Sequence, residues 1–315
     1  MRKMRRLYAI WIKFESSQYH RIMQIVAIGF TFGLIGWTLI IEIEEANLRH
    51  LHFDPSALLI SLALTTGAFY LGTFSWVVIV HALNPQTTYS RAIEYHLWSV
   101  VAKYLPSMGL QQISKGVQLY LDGEAGKQII LLPTLEIALI ILTGLTTAFQ
   151  AHSLSQRNVL GLEPTSQSAI VIVLWVVCGF VPVAVSELVS KGRVSRVKHR
   201  ELIFLYIAEL LDIIAWLTLG LTLWFIVRSI LPLPLEMLPD CITILSLSIV
   251  AGLAVVIAPN GYGIRELTMS ILLQSILSAY PAIIVALMSR IIFVAAEFLG
   301  LLSLLFIVWR RGKQV

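Results

Sequence analysis

Seven long, mostly apolar runs dominate this sequence, at 22–41, 56–83, 128–149, 168–188, 202–227, 238–258 and 281–309. A helix needs about 20 such residues to cross the hydrocarbon core of a bilayer. A water-soluble fold cannot hide this many. Hydrophobic residues make up 57% of the 315 and charged residues only 13%, against roughly 45–50% and about 25% in soluble domains. The mean hydropathy of +0.83 says the same. Soluble enzymes, disordered chains and disulfide frameworks are thereby excluded. The expected fold is all-α, a polytopic membrane helix bundle of seven to eight spans forming one integral membrane domain over 1–315. Cys178 and Cys241 lie in separate apolar runs and read as small buried hydrophobes, without metal or redox spacing.

Lys and Arg concentrate on the cytoplasmic side of short loops. Arg2, Lys3, Arg5, Arg6, Lys13 and Arg21 therefore place the N-terminus in the cytoplasm, and Lys191, Arg193, Arg196, Lys198 and Arg200 place the loop before the fifth run there too. The acidic stretch 42–54 falls outside. Run 22–41 is too long for a signal peptide and is followed by Glu42, Glu44 and Glu45 rather than a small-residue cleavage site. Arg310, Arg311 and Lys313 favour a cytoplasmic C-terminus, which seven crossings do not deliver. The multi-pass topology needs either an eighth crossing or a tail that is an exception to the charge rule.

Two segments carry that ambiguity. In 90–109, Ile93, Leu97, Val100, Val101 and Tyr104 share one helical face while Arg91, Glu94 and Lys103 lie away from it, and Pro106 and Gly109 stop the helix. In 259–277, Pro259, Asn260, Gly261, Tyr262 and Gly263 open a helix of about ten to fifteen residues. Two surface loops would account for them, as would two re-entrant or broken helices. Their spacing favours the second reading: Pro106 and Pro259 stand 153 residues apart, close to half the chain. Gly/Pro-interrupted segments at matching places in two halves point to a transporter's central site. The spacing suggests pseudo-repeat halves 1–160 and 161–315.

Ionisable residues within spans cost about 2.5–3.5 kcal/mol each and face cavities or partners. Glu136 lies near the middle of run 128–149, Glu209 and Asp212 share a face at i, i+3, and Arg290 and Glu297 lie seven apart on the last run. Arg290 and Glu297 are too far apart along the axis to pair, so Arg265 and Glu266, just after the Gly turn, are the expected partners. Glu136, Glu209, Asp212, Glu266 and Glu297 against Arg265 and Arg290 leave three surplus acids. Buried surplus acids protonate or meet a cationic ligand. A packing network would use the same residues, and the two readings are compatible.

Weaker signals surround these. The backbone amides of 260–263 suit a phosphate or a plain helix-breaking turn. His50, His52 and Asp54 hold too few metal-ligand types to imply an ion, and no cofactor is expected. Trp11, Trp76, Trp98 and Trp309 read as interfacial anchors. No zincin, nucleophile-elbow, Walker or Asp-x-Asp pattern occurs, and nothing suggests nucleic acid as a partner.

Lys103-Tyr104-Leu105-Pro106-x-x-Gly109, Pro259-Asn260-Gly261-Tyr262-Gly263-Ile264-Arg265-Glu266 and Arg290, Glu297 and Gly300 of the last run resemble the transmembrane flippase domain of lysyl-phosphatidylglycerol synthases. The resemblance covers most of the chain in order, and the Pro-x-Gly-x-Gly-x-Arg-Glu element is its specific part. The chain departs from the family where Glu136 is followed by Ile137, Ala138 and Leu139, and where Asn260 and Ser107 replace common glycines. The synthase activity of fused relatives is not implied, since these 315 residues hold no soluble domain.

The expected function is lipid translocation without ATP hydrolysis: a phospholipid or lipid-linked headgroup crosses a polar cavity while its tails stay in the bilayer. Glu136, Glu209, Asp212 and Glu297 line that cavity, Arg265 and Arg290 contact phosphate beside Glu266, and the turns at Pro106, Gly109, Pro259, Asn260, Gly261 and Gly263 shape it. The rivals are an intramembrane transferase acting on a lipid-linked substrate and a membrane partner of a glycosyltransferase. Membrane lipids are the expected partners, with a lipid-modifying transferase or glycosyltransferase as a second.

Overall fold

The computed structural model describes residues 53–103, 109–123, 128–155, 157–189, 195–255, 261 and 263–312. Run 22–41, the stretch 42–52 with His50 and His52, Trp11, Pro106, Pro259 and Asn260, and the basic residues at 1–21, at Lys191 and Arg193 and at Lys313 lie outside them.

Nine α-helices occur among the described residues, and no strand. They are α1 (Pro55–Leu83), α2 (Tyr89–Ala102), α3 (Leu110–Leu121), α4 (Gln128–Leu154), α5 (Pro164–Val189), α6 (Ser195–Arg228), α7 (Leu238–Ala254), α8 (Ile264–Leu273) and α9 (Ala279–Gly312). Six stretches are long and apolar enough to cross a membrane: Pro55–Leu83, Gln128–Leu154, Pro164–Val185, His199–Arg228, Leu235–Ala254 and Ala279–Ser303. Each coincides with one of the expected apolar runs. Helix resumes after the Gly109 turn as expected, but the bounds of α3 were not legible, because twelve residues with Gln111, Gln112, Ser114, Lys115 and Gln118 fit no apolar template.

The surface explains the composition. Ile172, Val173, Trp175, Val176 and Phe180 of α5 are exposed, as are Ile291, Phe298 and Leu302 of α9. Polar side chains turn inward instead, Thr65, Thr143, Thr222 and Thr243 being buried. Buried hydroxyls bond carbonyls one turn earlier, as Thr65 Oγ1 to Ser61 O at 2.7 Å and Thr143 Oγ1 to Leu139 O at 2.7 Å. A helix in lipid must satisfy its polar groups internally.

The helices pack tightest where glycine removes the side chain. At Gly220 an added Cβ would stand 2.7 Å from Ile242 Cα, and at Gly144 it would meet the Trp216 ring at 2.7 Å. The closest partner of α1 is α6, with Thr65 Oγ1 3.4 Å from Thr222 Oγ1. Next, α1 packs on α9 and α6 on α4, α2 on α9 and α7 on α4, α3 on α4 and α8 on α9.

Helices α2 and α3 form a hairpin whose two feet lie together. Arg91 Nη2 of α2 is 3.1 Å from Asp122 Oδ1 just past α3, and Tyr95 Oη also donates to Asp122. These feet share an end of the bundle with the foot of α1 and the head of α6, where Arg200 reaches His81 at 3.0 Å. Helices α7 and α8 form a second hairpin whose feet lie at the opposite end. There Ser155 Oγ bonds Asp240 Oδ1 at 2.5 Å, Arg157 Nη1 donates to Ser275 O at 3.4 Å, and the Asp54 amide donates to Ser229 O at 2.8 Å.

In α2, Leu97 and Val100 are buried as the amphipathic pattern expects, but Val101 is exposed, because α2 has both α1 and α3 as neighbours and its buried face is rotated off that position. Trp76 departs more. It is fully buried, its indole N–H donates to Ala92 O at 3.0 Å, and it cannot be an interfacial anchor. Trp98 is exposed.

Candidate functional site

The charged residues singled out in the sequence separate into two buried groups. The first gathers on α3, α4 and α6. Gly109, at φ 65°, starts α3 in the left-handed region that favours glycine, and the following turn puts Lys115 on its inward face. Lys115 is fully buried, forms an ion pair with Glu136 of α4, and lies 4.2 Å over the Trp76 ring. Glu209 and Asp212 of α6 lie beside this pair, with Asp212 inside the electrostatic reach of Lys115, Glu136 and Glu209. Glu136 Oε2, Glu209 Oε1 and Asp212 Oδ2 have no hydrogen-bond partner among the described residues.

The second group gathers where the tip of the α2–α3 hairpin meets α8 and α9. Lys103, the residue capping α2, pairs with Glu297 at 2.5 Å. Arg290 Nε lies 3.8 Å from Glu266 Oε1. The Arg265 guanidinium stacks 3.8 Å over the Phe293 ring, and its Nε and Nη2 have no acceptor among the described residues. Lys103 and Arg265 are both within electrostatic reach of Arg290. Three cations thus face two carboxylates in a largely shielded place.

These contacts correct two expectations. Arg265 does not pair with Glu297, which takes Lys103 instead, because the α2–α3 hairpin brings its own cation to the middle of α9. The surplus of acids falls from three to one, because Lys115, fully buried, and Lys103, largely shielded, join these residues. A polar stripe pointing inward was the available signal for Lys115: on α3 the exposed positions are Tyr120 and Leu121 while Lys115 and Gly116 are buried. The seven predicted residues fall into two groups. Glu136, Glu209 and Asp212 group around Lys115; Arg265, Glu266, Arg290 and Glu297 group with Lys103. His96 of α2, itself buried, is within reach of both Lys103 and Lys115 and stands between the groups.

In the turn before α8 one of the expected amides is taken up within the chain. The Gly263 amide donates to Glu266 Oε2 at 2.7 Å, so the acid three residues on closes the helix start. Gly261 (φ 65°) and Gly263 (φ 84°) both hold left-handed backbone. Gly261 also touches α7 directly: a Cβ there would lie 2.7 Å from Gly252 Cα and O. The fixed turn positions Arg265 one residue into α8, and Gly252 in turn leaves room for it, since a Cβ on Gly252 would stand 3.3 Å from Arg265 Cβ.

Cys178 and Cys241 are buried free thiols, as expected. Asp54 caps α1, its Oδ1 accepting from the Ser56 amide and hydroxyl.

A helical bundle with six membrane-length apolar helices and large apolar side chains on its exterior defines a multi-pass membrane protein. No protein-family model and no curated protein sequence matches the chain.

Proposed function

We propose that this chain is a lipid translocase whose cationic group binds the phosphate of a lipid headgroup. The observation that carries the reading is Arg265, a buried guanidinium with two donors that find no acceptor among the described residues, beside Lys103 and Arg290. An uncompensated buried cation is costly, and a planar guanidinium matches a phosphate in a bidentate manner. The resemblance of the Pro259–Glu266 element and of Arg290, Glu297 and Gly300 to the flippase domain of lysyl-phosphatidylglycerol synthases supports the same reading.

In this proposal the two hairpins are re-entrant, one from each side of the membrane. Feet at opposite ends of the bundle support this. The crossings are then 22–41, α1, α4, α5, α6 and α9, and α7 does not cross. Their even number places both basic ends and the 191–200 loop in the cytoplasm and 42–54 outside, which removes the parity conflict posed by seven spans. Exchanging α1 with α6, α2 with α7, α3 with α8 and α4 with α9 carries each packing pair among these eight helices onto a packing pair. That supports halves 1–160 and 161–315 as a repeat of inverted orientation.

The test is reconstitution into vesicles with fluorescent lipids whose headgroups are bleached from outside. Wild-type protein is expected to move phosphatidylglycerol analogues between leaflets, and Arg265→Gln to lose this by tenfold or more. Equal rates in wild-type, Arg265→Gln and protein-free vesicles would overturn the proposal.

A further inference from the structure

We propose, building on the translocase reading, that Glu209 and Asp212 form a proton-binding site that couples headgroup movement to proton movement. These two acids lie outside the cationic group and have no role in holding phosphate. They and Glu136 are each more than nine-tenths buried, and each keeps one oxygen without a hydrogen-bond partner among the described residues. One base, Lys115, is bonded to Glu136 and lies within electrostatic reach of Asp212. Full ionisation therefore leaves two negative charges inside the bundle, a state that a low-dielectric interior resists.

The neutralising species has to be small. No three acid, His or Cys side chains among the described residues converge well enough to hold a metal ion. Lys115 is itself wholly enclosed, so the space an ammonium headgroup needs beside these acids is already taken. A proton fits where larger cations do not. Each carboxylate takes one proton from water on one side and returns it to water on the other, with no other bond made or broken.

The groups that face the two acids give the coupling a route. Lys115 comes from α3, Glu136 from α4, Cys178 from α5 and the Ser75 hydroxyl from α1, and no charged side chain of α7 or α9 acts on them among the described residues. With Asp212 ionised, Lys115 is attracted by it as well as by Glu136; with Asp212 protonated, by Glu136 alone. Lys115 rides on one arm of the first hairpin, and Lys103, which pairs with Glu297 in the cationic group, caps the other arm. Proton uptake on α6 thus loosens the hairpin whose tip completes the phosphate-binding group.

The experiment uses the full chain in vesicles loaded with a pH-sensitive dye and fluorescent phosphatidylglycerol, with and without a pH difference of about 1.5 units and a protonophore. Wild-type protein is expected to move lipid several-fold faster with the gradient, to pass protons while doing so, and to lose the acceleration with protonophore. Glu209→Gln and Asp212→Asn are expected to keep a slow lipid exchange that ignores the gradient. Lipid movement in wild type that ignores the gradient, without dye response, overturns the coupling and leaves the translocase reading intact. Absence of lipid movement under every condition overturns the translocase reading, and the coupling with it. The melting midpoint in detergent between pH 5 and 9 reads the site independently: its pH dependence is expected to flatten in both variants, and a profile identical to wild type in both overturns the proton site.

Discussion

Lys103, at the tip end of α2, and Glu297, in the middle of α9, form an ion pair at 2.5 Å with both side chains largely shielded from solvent. The first hairpin is thereby tied at its tip to a helix from the other half of the chain. Removing one partner of such a pair strands the other, at about 3–5 kcal/mol. Glu297→Gln is expected to lower the detergent melting midpoint clearly, and Lys103→Met combined with Glu297→Gln to recover part of the loss. Independent, additive effects of the two changes would contradict the pairing.

Arg290 lies 3.8 Å from Glu266, whose other oxygen holds the Gly263 amide. Arg290→Gln is expected to cut lipid movement by at least tenfold while Leu302→Ala, on an exposed position of the same helix, leaves it unchanged. Full activity and full thermal stability of Arg290→Gln would separate these charges from the site.

Gly261 combines a positive φ with a backbone approach to Gly252 of 2.7 Å from any added Cβ. Gly261→Ala is expected to destabilise the protein by about 2–3 kcal/mol, from strain and overpacking together. Gly67→Ala, in the middle of α1 with nothing within 4 Å of the new carbon, is expected to stabilise it by a few tenths of a kcal/mol up to about 1 kcal/mol. Melting midpoints of the two variants moving in opposite directions would confirm the assignment.

The Asp54 carboxylate accepts from the Ser56 amide at 2.9 Å and from its hydroxyl at 2.6 Å, and these bonds hold its pKa below the ordinary carboxylate value. The folded group therefore gives up its proton more readily than the unfolded one. Its contribution to stability is present above the unfolded pKa of about 3.9 and is lost as pH falls through the lower folded value. Asp54→Ala is expected to melt below wild type at pH 7, with the difference shrinking below pH 4; a difference independent of pH would refute the cap.

The feet of the two hairpins offer a direct test of the proposed topology. Gly123→Cys, just past α3, is expected to react with a membrane-impermeant maleimide only from the cytoplasmic side, and Ser275→Cys, just past α8, only from outside. Labelling of both from one side would make the hairpins ordinary loops or full spans.

The helices were legible because an apolar run of membrane length has no other stable use, and six of the expected runs became helices within a few residues of their predicted bounds. Glu136, Glu209, Asp212 and Arg290 were legible for the opposite reason, as rare charges inside those runs. Lys103 and Lys115 were hidden because they lie in segments polar enough to pass for surface. Only the folding of α2 and α3 back into the bundle buries them. The division into two charge groups could not be read from spacing at all, since it depends on which hairpin tip meets which span.

The contacts that shut each hairpin are local, Arg91 meeting Asp122 and Gly252 meeting Gly261. Such contacts close short loops and form early in folding. The Lys103–Glu297 pair joins residues 194 positions apart and waits for α9. During synthesis, then, the hairpins exist before the cationic group does. A nascent chain stopped short of α9 carries Lys103 and Arg265 in the membrane without Glu297, Arg290 or Phe293, which makes the incomplete protein electrically unsatisfied and a recognisable target for quality control until the last described helix is in place.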